Sequence, residues 1–242
     1  MAIWGKIVGG ATGFALGGPI GALIGAGVGH AVDRVAFGDH IDDEATRKIT
    51  FTIGVIALAA KMAKADGEVT LDEVAAFKKL FKVPPYEERN VERVFDLARR
   101  ATAGYEAYAR QIASLFERRA PILEDLLDAL FQIASADGVF HPCEIDYLEK
   151  VAAIFGFNEA DIDRIKARHM GLDQASPYAI LGIDPNISDI ELKKHYKQLV
   201  RETHPDRMMA HGVPEEFISV ATERLAAINA AYDKIAKSRG LT

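Results

Sequence analysis

A single cysteine, Cys143, in 242 residues leaves no intramolecular disulfide to be made and suits a reducing compartment. It has no partner cysteine or histidine cluster near it in the sequence, so it reads as an ordinary helix residue rather than a metal ligand. Long runs of one charge are also missing. The net charge is −6, and residues 173–242 balance their basic and acidic side chains closely. A nucleic-acid partner would need a broad basic stripe, and none is present. Convincing apolar–polar alternation of period two is missing as well, which excludes a sheet as the organising element. What remains is helical periodicity almost from end to end, so the expected fold class is all-α.

The N-terminal stretch is the exception to the mixed-charge pattern. From Ile7 to Gly29 there are 23 residues without a charge. As one helix they would span about 35 Å, enough for a hydrocarbon core of about 30 Å. Gly5, Gly9, Gly13, Gly17, Gly21, Gly25 and Gly29 recur every four residues. So much glycine penalises a helix in water, but in a bilayer it lets helices approach closely. Residues 1–40 are therefore expected to form a single membrane span that contacts lipid and self-associates as a homodimer along the glycine ridge. Two other arrangements fit the same residues: a hairpin broken at Gly17-Gly18-Pro19, and a cleaved signal segment. Lys6 on one side and Asp33, Arg34 and Asp39 on the other leave the positive-inside rule nearly silent.

Residues 41–172 contain an internal repeat. Ala63-Lys-Ala-Asp66-Gly67 through Glu73 realigns with Ala134-Ser-Ala-Asp137-Gly138 through Glu144 at an offset of 71 residues. Helical periodicity predicts helices over Ile49–Ala65, Leu71–Phe81, Tyr86–Ala101, Tyr105–Arg118, Ile122–Ala136, Pro142–Phe155 and Glu159–His169, a bundle of about seven. The Gly67–Glu73 spacing matches the second half of a calcium loop. The first half fails, since Met62 and Lys64, or Ile133 and Ser135, stand where early ligands belong. Thr70-x-x-Glu73 instead reads as a capping box, and His141-Pro142-x-Glu144 as the equivalent helix start. The expectation is a structural role and no bound cofactor. Asp66, Glu73, Asp137 and Glu144 are the candidates for a weak divalent site. A duplicated Asp-Gly motif in an all-helical frame resembles the TerB-like, tellurite-resistance-type domain.

Residues 173–242 carry the most specific pattern. Leu192, Tyr196, Leu199 and Thr203 form one stripe of a helix that Pro205 must end, with Lys193, Lys194, Lys197 and Arg201 on the other side. Pro214 opens a second helix in which Phe217, Val220, Ala221, Leu225, Ile228 and Tyr232 recur at helical spacing. The two should pack antiparallel across the polar loop that begins His204-Pro205-Asp206-Arg207. With Pro177-Tyr178, Leu181-Gly182-Ile183 and Ala227 to Tyr232 in the same order, residues 176–238 resemble the J-domain co-chaperones of Hsp70.

The J-domain resemblance implies a DnaK-type Hsp70 as partner, docked by Lys193, Lys194, Tyr196, Lys197, Arg201, His204, Pro205, Asp206 and Arg207, whose ATPase the chain would stimulate without being an enzyme itself. Gln198 departs from the family, which often has a basic residue there. His204 has no paired nucleophile in the motif, so a hydrolytic site is not expected. Membrane segment, TerB-like domain and J-domain in this order are similar to the DjlA family of DnaJ-like membrane co-chaperones. The resemblance implies the inner membrane, with the C-terminal domains in the cytoplasm. Alternatives from other classes are a membrane-tethered scaffold and a metal-responsive sensor acting through the middle domain. The link between the last two domains, about His169 to Ser176, is short and should restrict relative motion.

Overall fold

A computed structural model describes residues 18–21, 43–63, 71–81, 83, 85–86, 88–101, 104–136, 140–170, 175–206 and 218–241. Among these residues every regular element is a helix: α1 (Asp43–Met62), α2 (Leu71–Leu80), α3 (Glu88–Arg100), α4 (Tyr105–Ala113), α5 (Pro121–Ala134), α6 (Pro142–Phe155), α7 (Glu159–Met170), α8 (Pro177–Leu181), α9 (Asp189–Thr203) and α10 (Ile218–Arg239). The first seven form the bundle and the last three the C-terminal unit.

The bundle is built around α1 and α5. Both lack an exposed apolar-to-polar division, as expected of helices enclosed on all sides. From Phe51 to Ala60 every residue of α1 is buried, as is every residue from Ile122 to Phe131 in α5. Gly54 lets α1 and α4 approach closely, since a Cβ there would lie 2.6 Å from Ile112 Cδ1. Tyr147 of α6 donates its hydroxyl to Leu58 O at 2.8 Å, tying α6 to the backbone of α1. Burial raises the Tyr147 pKa well above its ordinary value.

Two helix ends differ from the periodicity by more than a turn. α4 stops at Ala113, not at Arg118, because the following turn returns the chain to α5. Arg119 adopts φ 59° there, and its N–H donates to Phe155 O at 3.1 Å. α1 begins at Asp43, ahead of the expected Ile49. At α6 the expected helix start is present: Pro142 occupies the first turn and Glu144 accepts the His141 N–H at 3.2 Å. Glu144 is buried in that role. Asp66 and Asp137, and with them both Asp-Gly pairs, lie outside the described residues, as does the Glu73 side chain.

Of the glycine ridge only Gly21 is described; Gly5, Gly9, Gly13, Gly17, Gly25 and Gly29 lie outside. Residues 18–21 make one helical turn against the bundle. Ile20 is buried in its core, and its N–H donates to Gln111 Oε1 of α4 at 3.0 Å. Gly18, the first residue of that turn, has φ 63°, a left-handed conformation suited to glycine. No helix among the described residues is long and apolar enough to cross a membrane.

The C-terminal unit has its own core of Ile180, Leu181, Leu192, Leu199, Ile228, Ala231 and Ile235, which Ala167 of α7 joins. Conversely, Val220 and Ala221 of α10 belong to the core of the bundle. The last helix therefore serves both cores, its first turns one and its later turns the other. Gly182 closes α8 at φ 69°, and a Cβ there would meet Arg164 Cδ of α7 at 2.7 Å. The seam between bundle and C-terminal unit is thus close-packed on two fronts, α7 against α8 and α5 against α10.

Candidate functional site

The start of α9 is fixed by a capping box. Ser188 Oγ accepts the Glu191 N–H, while Glu191 Oε2 accepts the Ser188 hydroxyl at 2.7 Å and its N–H at 3.4 Å. These bonds hold the Glu191 carboxyl below its ordinary value. Along the helix Leu192, Leu199 and Thr203 are buried, while Lys193, Lys194, Lys197 and Arg201 are exposed. Tyr196 has a different setting from the lysines. It is half-buried and stacks on Tyr232 of α10 with ring centroids 3.9 Å apart, and its hydroxyl donates to Asn229 Oδ1 at 3.0 Å. At the far end Arg239 of α10 donates to Asp189 Oδ1 at 2.8 Å, to Ile187 O at 2.8 Å and to Pro185 O at 2.7 Å. The contacts join the start of α9 to the end of α10, so the pair is antiparallel.

α9 ends at Thr203 because Pro205 keeps His204 out of the helical region, and His204 is extended at φ −63°, ψ 130°. The Asp206 N–H donates to His204 Nδ1 at 3.3 Å, and Asp206 Oδ2 stands 3.5 Å from the same nitrogen. The tip is therefore organised locally while its side chains face outward: the imidazole is 50% exposed and the carboxylate 76%. A shallow groove lined by Tyr196, Lys197, Val200, Arg201 and His204 runs from α9 to the tip. Basic residues, groove and tip share one face. Arg207 lies outside the described residues.

A second charged constellation sits at the seam, and helical periodicity alone did not single it out. Glu124, Asp125 and Asp128 of α5 are all buried, as are Arg168 of α7 and Arg224 of α10. Arg224 contacts Glu124 Oε2 at 2.7 Å and Asp125 Oδ1 at 2.9 Å, with Nε 3.8 Å from Asp128 Oδ2. Arg168 contacts Asp128 Oδ2 and Glu124 Oε1, both at 2.8 Å. Arg164 reaches Glu124 Oε1 at 3.0 Å, and His169 Nε2 lies 3.1 Å from Asp128 Oδ1. The spacing contained a signal: three acids interrupt an otherwise apolar helix, and Arg164 and Arg168 stand one turn apart.

The protonation of this cluster is set by competition between burial and charge. Burial alone would raise all three carboxyls. For Glu124 the guanidiniums of Arg224, Arg168 and Arg164 outweigh it, and for Asp128 those of Arg168 and Arg224 with His169 do, so both are held below their ordinary values. For Asp125 burial prevails over Arg224, and its pKa rises from 3.8 to about 6. Burial likewise acts to lower the Arg224 pKa, but the three carboxylates outweigh it and the pKa is raised.

The linkage signs are opposite within the cluster. Glu124 and Asp128 contribute stability above the ordinary carboxylate range, lost as pH falls through their folded values. Asp125 binds a proton in the folded state between 3.8 and about 6 that the unfolded chain releases, so its contribution weakens as pH rises through that window. Asp125→Asn retains an acceptor for Arg224. Its thermal midpoint relative to the parent is expected to climb from pH 4 to pH 7, with each pKa unit worth about 1.4 kcal/mol. Scanning calorimetry at stepped pH reads this difference; a flat or falling profile would contradict the assignment.

The family model described as DnaJ domain matches residues 176–239, the stretch that contains α8, α9, the tip and α10. This is a J-domain protein. Ahead of that match, the model described as co-chaperone DjlA transmembrane domain covers residues 1–57, and the one described as tellurite resistance protein TerB covers 52–167. With these three in order along nearly the whole length, the chain belongs to the DjlA family of DnaJ-type co-chaperones. Relatives named co-chaperone protein DjlA include one from Vibrio vulnificus, 29% identical over 81% of this chain and 81% of its own length. Another, from Photobacterium profundum, is 27% identical over 98% of this chain and 99% of its own. A third, from Vibrio cholerae serotype O1, is 28% identical over the full length of both. No solved structure matches the chain.

Proposed function

We propose that this protein stimulates the ATPase of a cytoplasmic DnaK-type Hsp70 and recruits it to the inner membrane, acting as an activator rather than as an enzyme. The observation that carries the reading is the single exposed face on which Lys193, Lys194, Lys197 and Arg201 lead to the His204–Asp206 tip. The four cations attract an acidic partner surface and speed encounter. Asp206 then offers a carboxylate, and the local bond to its N–H keeps His204 in register with it. Tyr196 supports docking from within by holding α9 against α10. The direct test is single-turnover ATP hydrolysis by an Hsp70 with the intact chain in detergent. Stimulation that weakens steeply with salt is expected; no stimulation at any ratio would overturn the proposal.

Residues 1–40 would supply the anchor, 41–172 the TerB-like domain and 173–242 the J-domain. In the single-pass arrangement the glycine ridge pairs two chains, and the C-terminal domains face the cytoplasm, where Hsp70 and ATP are found. A second arrangement is a hairpin broken at Gly17-Gly18-Pro19, in which Gly5–Gly17 and Gly21–Gly29 contact each other within one chain. Gly13→Leu with Gly17→Leu separates the two. Bulky side chains hold neighbouring backbones apart, so a paired span should lose most of its association in a bilayer dimerisation assay on residues 1–40. Association equal to the parent would exclude the ridge as the contact between chains.

A further inference from the structure

We propose that the acidic ridge of α5 is a docking surface for the chain's own last helix, and that Arg224 latches the J-domain to the TerB-like domain. The His204–Asp206 tip is then carried at a fixed attitude instead of swinging on the 171–174 link. The proposal goes beyond Hsp70 stimulation and does not depend on it. Among the described residues Arg224 is the only contribution of α10 to the cluster, and it is 5% exposed. One guanidinium engages carboxylates one residue apart, Glu124 and Asp125, which a planar fork suits and a point charge does not. Its Nη1 also lies 3.4 Å from Pro121 O at the start of α5.

The latch is surrounded by contacts of other kinds. Val220 and Ala221 are buried in the core of the bundle. Ser219 Oγ donates to Leu80 O of α2 at 2.9 Å, and Gln132 Nε2 of α5 donates to Glu223 Oε2 at 2.9 Å. Apolar burial, hydrogen bonds outside the cluster and a buried ionic network therefore all act within residues 219–224. On the other side of the hairpin, Gly182 lies against Arg164, whose guanidinium also bonds Glu124. The same carboxylate thus receives two arginines from α7, Arg164 and Arg168, and one from α10. A J-domain hung loosely from its neighbour would need none of this. The basic face of α9 and the tip take no part in the seam, so the latched state leaves them accessible.

The test uses the full chain in detergent micelles. Spin labels are placed at Glu149→Cys on α6 and Gln198→Cys on α9, both exposed, in a Cys143→Ala background. The parent is expected to give one narrow distance distribution, and Arg224→Glu a distribution at least twice as broad. A broad distribution in the parent, or a narrow one unchanged by Arg224→Glu, would overturn the proposal. Native-state hydrogen exchange on the unmodified chain decides independently, should the Arg224→Glu chain fail to fold. Amides of residues 220–224 are expected to exchange together with those of α5. Exchange in step with α9 while α5 stays protected would mean that the J-domain detaches as a unit, and the latch would be refuted.

Discussion

His204→Gln is expected to abolish stimulation of Hsp70 ATP hydrolysis while leaving the fold intact. The side chain is half-exposed, and its bonds lie within the tip, to the Asp206 N–H and carboxylate. Substitutions in such positions usually change stability by less than about 0.5 kcal/mol. Glutamine can still accept the Asp206 N–H through its amide oxygen, but it lacks the ring that fills the end of the groove beside Arg201. Asp206→Asn makes the complementary change, removing charge at nearly constant shape. If docking depends on the carboxylate, both variants fall to the unstimulated rate in single-turnover assays, with unchanged circular dichroism and melting. A folded His204→Gln chain that stimulates like the parent would remove the tip from the mechanism. Charge removal on α9 should act differently. Lys193→Ala with Lys197→Ala is expected to slow association several-fold and to flatten its salt dependence, because these cations act at a distance.

The second large effect is on stability. Arg224→Met keeps the length and apolar stem but removes the guanidinium, leaving three buried carboxylates with Arg164, Arg168 and His169 as their remaining partners. Breaking a buried ionic network by removing one partner costs about 3–5 kcal/mol, because the charges left behind are uncompensated. Arg224→Lys should fall between, since one ammonium cannot bridge Glu124 and Asp125 as a fork does. Arg224→Met with Asp125→Asn should lose less than Arg224→Met alone, the most costly orphan having been neutralised. Urea unfolding of the full chain, followed by helical signal, measures all three. A loss below about 1 kcal/mol for Arg224→Met would mean that water reaches the seam.

The seven bundle helices and the antiparallel pair α9–α10 were legible in the sequence, because apolar residues at helical spacing report which face of each helix is enclosed. The basic face of α9 was legible for the same reason in reverse: Lys193, Lys194, Lys197 and Arg201 are where the apolar stripe is not. The tip was legible because proline dictates its own backbone and that of the residue before it. Periodicity did not reveal that α10 divides its apolar stripe between two cores. Val220 and Ala221 look like Ile228 and Ile235 in one dimension; only the position of α5 assigns them to different neighbours. The acidic ridge was hidden by the opposite difficulty. Glu124, Asp125 and Asp128 have the composition of a solvated face, and their burial depends on arginines about 40 and 100 residues away in sequence. Tyr196 shares the apolar stripe, and its stacking on Tyr232 gives it a packing role between α9 and α10.

The 22-residue α10 also has a mechanical meaning. It is about 33 Å long at 1.5 Å per residue, anchored near one end by Arg224 and cross-braced to α9 near the other by Arg239. A pull applied at the His-Pro-Asp tip enters this strut close to its anchored end, so the lever arm is short and the torque on the seam small. Load then passes from α10 into α5, the enclosed centre of the bundle, and onward to α1. A partner tugging on the tip would thus strain the helical framework as a whole before it bent the thin connection between the two domains.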